Sequence, residues 1–156
     1  MRLPCGAFAG CKKAGFCRRA AVANRRCTYQ NQPVKLNWEK LCAVATEEVE
    51  ETLAALPKPL RERAKELPVT FERIPNAGLQ ADGIELDTLG LFTGAEFADE
   101  GHVPMPPQII LFLENLWDLA EGDEKIFREE VRTTFLHELG HYLGLDEDEL
   151  TERGLE

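Results

Sequence analysis

The sequence predicts an α+β domain in which a small, three-stranded sheet packs on helices. Apolar residues recur every three or four positions near the start and the end of residues 36–156, as in amphipathic helices. Three short β-prone segments, bounded by turn residues, lie between those helices. At 156 residues with 44% hydrophobic content, the chain can bury one ordinary core.

Charge divides the chain into two parts. Residues 1–35 carry eight of the 18 Lys and Arg residues and none of the 28 Asp and Glu residues, so the parts have formal charges of +8 and −18. We expect residues 1–35 to be a flexible basic extension and residues 36–156 to be the domain. Because an acidic domain repels phosphate backbones, nucleic acid is not an expected partner of the domain.

Cysteine and serine usage narrows the class of protein. The basic extension holds four cysteines at spacings that match no CxxC pair, and residues 36–156 hold only Cys42. Cys42 lies on the apolar stripe of a predicted helix, which favours a packing role over a nucleophilic one. A domain without an internal disulfide fits a reducing cytoplasm. The chain has no serine, which excludes serine-nucleophile hydrolases. In residues 1–35 the longest apolar run, "AAVA" (20–23), is far too short for a signal-peptide core or a membrane span.

The first predicted elements are two helices. Asn37 offers an N-cap for an amphipathic helix that Pro57 ends. Pro59 suits a first helical position, and the shorter helix that it begins stops at Pro68.

Strands and two later helices follow. The predicted strands are "VTFERI" (69–74), "LGLF" (89–92) and "QIILF" (108–112). A short helix or turn is predicted over 114–120, and Gly122-Asp123 separates it from a helix over about 124–143.

That last helix contains "HELGH". Since a helix turns about 100° per residue, His137 and His141 lie about 40° apart on one face and can share a metal ion. Glu138 points away from this pair, so it is better placed to accept a proton from water than to bind the ion. The pattern predicts a zinc site for metal-assisted hydrolysis.

A catalytic zinc site needs a third protein ligand. In a straight helix residue 147 would lie about 9 Å beyond His141, so the chain must turn back. Gly144 can adopt the left-handed conformation that ends a helix. The four acids after it are candidate ligands: Asp146, Glu147, Asp148 and Glu149.

From Leu36 onward, and most clearly over 86–156, the chain resembles a family of small bacterial zincin-like metallopeptidases, the minimal zincins. The resemblance lies in "LGLFTG" (89–94), "PQIILF" (107–112) and "EEVRTTFLHELGHYLGLDEDEL" (129–150). The family pattern HExxHxxGxxD implies zinc ligands at His137, His141 and Glu147, a turn at Gly144 and a general base at Glu138. The family usually has aspartate where this chain has Glu147, so Asp146 and Asp148 remain alternatives.

The resulting expectation is a cytoplasmic zinc metallopeptidase that cleaves a peptide or protein substrate. By analogy with zincins, the strand around Ile109 to Leu113 is hypothesised to be the sheet edge along which an extended peptide lies. Two alternatives stand beside this prediction. One is a non-catalytic metal-binding or protein-interaction module that keeps the HExxH helix, and the other is an acidic helical adaptor without metal. The sequence indicates no membrane partner and does not indicate an oligomeric state.

Overall fold

The computed structural model describes residues 37–94 and 106–152. Within these ranges the chain forms a three-stranded sheet and six helices. The elements are α1 (Trp38–Ala55), α2 (Lys58–Ala64), β1 (Val69–Glu72), α3 (Ala77–Ala81), β2 (Gly90–Thr93), β3 (Gln108–Phe112), α4 (Leu113–Leu119), α5 (Glu124–Tyr142) and α6 (Glu147–Glu152). The α+β class and the position of the histidine helix are confirmed. The predicted extension over residues 1–35 lies outside the described ranges.

Two short helices were not predicted from the sequence. α3 follows β1, and the side chain of its N-cap Asn76 accepts hydrogen bonds from the N–H groups of Gly78 and Leu79. α6 follows the turn at Gly144. Both helices are six residues long or shorter, which leaves too few turns for a hydrophobic period to show in the sequence.

The sheet has the strand order β1-β3-β2, with β3 parallel to β1 and antiparallel to β2. The hypothesis that β3 forms a peptide-binding edge is therefore wrong, because both of its sides are hydrogen-bonded to neighbouring strands. Its run of buried apolar residues agrees with a central position, since such strands are covered on both faces.

Alternate residues of β3 enter two different hydrophobic clusters. Ile109 and Leu111 pack in the main core with Phe92, on the face that α5 covers. Ile110 and Phe112 pack on the opposite face in a smaller cluster, which Ile84, Leu91 and Leu79 complete. Cys42 packs against the main core, and burial raises the pKa of its thiol. The packing role predicted for Cys42 is thus confirmed.

Ion pairs join α1 to the first half of α5. Lys40 Nζ lies 2.6 Å from Glu124 Oε2, and Arg128 Nη2 lies 2.6 Å from Glu47 Oε2. Arg128 also approaches Glu48, whose side chain is buried between the helices. These contacts, together with the shared core, set the position of α5 relative to the rest of the domain. Of the helices in the two described ranges, none combines the length and apolar character that crossing a membrane requires.

Candidate metal centre

Helix α5 carries the two histidines at the rim of the core. The carboxylate of Asp123 caps its start by accepting hydrogen bonds from the N–H groups of Lys125 and Ile126. The apolar stripe of the helix is fully buried: Phe127, Val131, Phe135 and Leu139. On an adjacent face His137 is buried and His141 is half-buried. The stripe therefore fixes the rotation of α5 about its axis, and the histidine face lies beside the stripe.

The two imidazoles converge through the same ring atom. Nε2 of His137 and Nε2 of His141 are 3.0 Å apart, and the rings are inclined by 77°. Two nitrogens bound to one tetrahedral zinc ion at ordinary bond lengths would be about 3.3 Å apart. The observed separation is close to that value, so this pair of side chains fits a single zinc ion.

A tight turn ends α5 directly after the histidines. Gly144 has φ 86°, the left-handed conformation that glycine adopts without strain. The N–H of Leu145 donates to the carbonyl of Gly140 and the N–H of Gly144 donates to that of His141, both at 3.0 Å. These two bonds define a Schellman motif. The predicted end of the helix at Gly144, in the left-handed conformation, is confirmed.

The turn also orients His141. It places the carbonyl oxygen of Leu145 3.3 Å from Nδ1 of His141. A carbonyl can only accept, so this contact requires a proton on Nδ1 and leaves the lone pair on Nε2. Histidine ligands of metals commonly have such a partner on the second ring nitrogen. The same turn that ends α5 thus holds the ring of His141 in this orientation.

The acids beyond the turn differ in what they contact. The Asp146 carboxylate accepts a hydrogen bond from the N–H of Glu149, and the Glu149 carboxylate accepts one from the N–H of Asp146. This reciprocal pair is a capping box at the start of α6. Asp148 is exposed. Glu147 is the first residue of α6, and its side chain is outside the described part of the structure.

No third ligand is therefore established. Among the side chains that the structure describes, which exclude that of Glu147, no group of three or more His, Cys, Asp or Glu is placed to hold a metal ion. The carboxylates of Asp146 and Glu149 both accept capping hydrogen bonds at the start of α6, and Asp148 is exposed. The assignment of Glu147 stays a prediction.

Glu138 lies between α5 and the sheet. Its side chain has no exposed surface, and its Oε2 accepts a hydrogen bond of 2.8 Å from the N–H of Phe92 in β2. The N–H of Phe112 in β3 donates to the carbonyl of Leu89. Along residues 89–93, the backbone N–H and C=O groups of the odd-numbered residues therefore point toward β3, and those of the even-numbered residues point away from it. Phe92 consequently directs its N–H to the outer edge of the sheet, where the Glu138 carboxylate accepts it.

The approach of β2 to α5 depends on Gly90. A Cβ atom at this position would lie 2.5 Å from Cγ2 of Thr134 and 3.1 Å from both Cγ and Oε1 of Glu138. Neither Gly90 nor the Phe92 amide was identified from the sequence as part of the site. In the sequence, "LGLFTG" is only a motif of the family resemblance. A hydrogen bond from a backbone amide leaves no trace in residue identity.

The fold and the paired histidines are together typical of one class of protein, the metal-dependent hydrolases. A mixed sheet lies on a long helix that carries HExxH, and a glycine turn follows the second histidine, as in single-domain metallohydrolases.

Comparison with known families gives the same result. The sequence model of the family described as zincin-like metallopeptidase matches residues 64–155, which is more than half of the chain. The chain belongs to this family, and the predicted resemblance is confirmed. A search of curated proteins returns no match to the chain. The family implies zinc binding and peptidase chemistry.

Proposed function

We propose that this protein is a zinc-dependent peptidase in which His137, His141 and Glu147 hold the metal and Glu138 is the general base. The observation that carries the proposal is the convergence of the two Nε2 atoms at 3.0 Å on a helix end that turns back at Gly144. Membership in a metallopeptidase family supports the same chemistry. The cytoplasmic location rests on cysteine usage alone and stays a prediction.

The metal and Glu138 would have different chemical roles in the proposed site. Bound zinc would lower the pKa of a water molecule and polarise the carbonyl of the scissile bond. Glu138 accepts a proton from the attacking water and later donates it to the leaving amine. The buried surroundings of Glu138 keep its carboxylate in one place during both transfers.

A cleavage assay tests the proposal. Wild-type protein and Glu138→Gln are each incubated with zinc and a peptide library, and the products are identified by mass spectrometry. Glutamine keeps the shape of glutamate but does not accept the proton, so we expect a loss of at least about 100-fold in rate. Zinc binding should be unchanged, because Glu138 is not a ligand.

Two other results of the cleavage assay would lead to different conclusions. Equal residual cleavage by the two proteins would indicate a contaminating protease. Zinc binding without cleavage of any peptide would contradict the proposal and favour the non-catalytic metal-binding module.

A further inference from the structure

The contact between β2 and α5 is tightest at the level of the proposed base. Thr134 and Glu138 are four residues apart on α5, so they lie on one face, and both are almost fully buried. Gly90 packs against both side chains at distances that leave no space for a Cβ atom. Phe92, two residues along β2, donates its outward N–H to Glu138.

These contacts have a common consequence for the Glu138 carboxylate. A charged side chain removed from water needs hydrogen-bond donors at fixed positions, since burial without them disfavours the charged form. The Phe92 amide is such a donor, and it reaches the carboxylate only if the backbone of β2 lies directly against α5. Any side chain at position 90 would move the two elements apart or push Glu138 aside.

We propose that Gly90 is a positioning residue, which keeps the Glu138 carboxylate on the Phe92 amide by allowing β2 to lie against α5. The catalytic consequence rests on the proposed function, whereas the contact itself does not. Gly90 therefore acts through Glu138 on turnover and has no direct part in holding zinc. This separates its role from that of the histidines and of the turn at Gly144.

The test uses the full chain with the variants Gly90→Ala, Thr134→Ser and Gly90→Ala/Thr134→Ser. Serine lacks the Cγ2 methyl that a Cβ at position 90 would meet at 2.5 Å, so the double variant relieves the severest overlap. It retains the contacts at 3.1 Å with Glu138. Thr134→Ser alone is the matched background. The melting temperature, zinc affinity, kcat and KM on one library-derived peptide, and hydrogen exchange of the Phe92 amide are measured.

We expect the double variant to recover most of the melting temperature that Gly90→Ala loses. Its zinc affinity and KM should match those of Thr134→Ser, while kcat falls about tenfold because the base is displaced by a few tenths of an ångström. Exchange of the Phe92 amide should accelerate about tenfold as its acceptor moves. A double variant with the kcat and amide exchange of Thr134→Ser would overturn the proposal.

A second variant covers the case in which alanine at position 90 prevents folding. Glu138→Ala removes the acceptor and leaves Gly90 in place, so the Phe92 amide should lose protection by about tenfold while zinc stays bound. Unchanged protection would show that this amide does not hold the carboxylate and would overturn the proposal. Neither the exchange nor the zinc measurement needs turnover. A failure of the proposed function, seen as no cleavage by wild-type protein, is thus distinguishable from a failure of this inference.

Discussion

The imidazoles of His137 and His141 meet because their spacing and their surroundings agree. Four residues bring both rings to one face of α5, and the buried stripe beside them fixes which way that face points. The Leu145 carbonyl then selects the tautomer of His141. The fold of the chain alone thus holds the two Nε2 atoms toward one point.

Substitutions of Asp146 and Glu147, two of the acids after Gly144, should have different effects on stability and on zinc affinity. Asp146→Ala removes a helix cap, so we expect it to destabilise the protein by about 1 kcal/mol while zinc affinity is kept. Glu147→Ala should leave the stability of the zinc-free protein nearly unchanged and weaken zinc binding at least about tenfold. Chelator competition and thermal unfolding of the two variants measure both quantities. The opposite pattern would make Asp146 the ligand.

The sequence identified some site residues better than others, for a physical reason. In the proposed site His137, Glu138 and His141 would act through side chains at a fixed helical spacing, which a single sequence displays. Phe92 acts through its backbone N–H, and it reaches Glu138 across 46 positions of the chain. Only the path of the backbone in three dimensions shows such a contact.

Among the elements, the reversal after α5 determines the geometry of the site. Its two hydrogen bonds require a left-handed residue at position 144, where an L side chain costs about 1–2 kcal/mol. Gly144→Ala should therefore lower both the melting temperature and the zinc affinity, since the Leu145 carbonyl moves away from His141.

Gly83 provides a matched control for the substitution at Gly144. It has φ 94°, and no atom lies within 4 Å of the position that its Cβ would take. Gly83→Ala should cost a similar amount of stability and leave zinc affinity unchanged, as measured by thermal unfolding and chelator competition. Equal zinc affinities of the two variants would show that the turn does not organise the site.

The central position of β3 has a signal in the sequence. The run "QIILF" has no polar alternation, which is typical of a central strand with both faces covered. The helix α6 also had a signal, because an Asp followed three residues later by Glu is a capping pattern. The pairing of β1 with β3 depends on contacts between distant segments, and no local pattern specifies it.

At the scale of the whole molecule, the packing of α5 against α1 holds the histidine helix in position. The two helices share the main core and are joined at the start of α5 by Lys40 and Glu124. The hydrogen bond and the charge of Lys40 lower the pKa of the Glu124 carboxyl. A carboxyl whose pKa is lowered by folding adds stability above its unfolded pKa, and that stability is lost as the pH falls through its folded pKa.

The link between the helices is tested by titration. In an NMR titration Glu124 should lose its proton below the ordinary value of 4.5, and Lys40→Gln should raise its pKa toward that value. A pKa of Glu124 that is the same in both proteins would show that the ion pair does not form in solution.

Zinc content is the measurement that most directly tests the central claim, that two imidazoles and a carboxylate brought back by the Gly144 turn hold one metal ion. The full chain is purified without added metal, analysed for zinc, and unfolded with and without a chelator, beside His137→Ala/His141→Ala. We predict one zinc per chain and a melting temperature that falls by about 10 °C with chelator, with neither property in the double variant. A wild-type chain with no stoichiometric metal and an unchanged melting temperature would contradict the account.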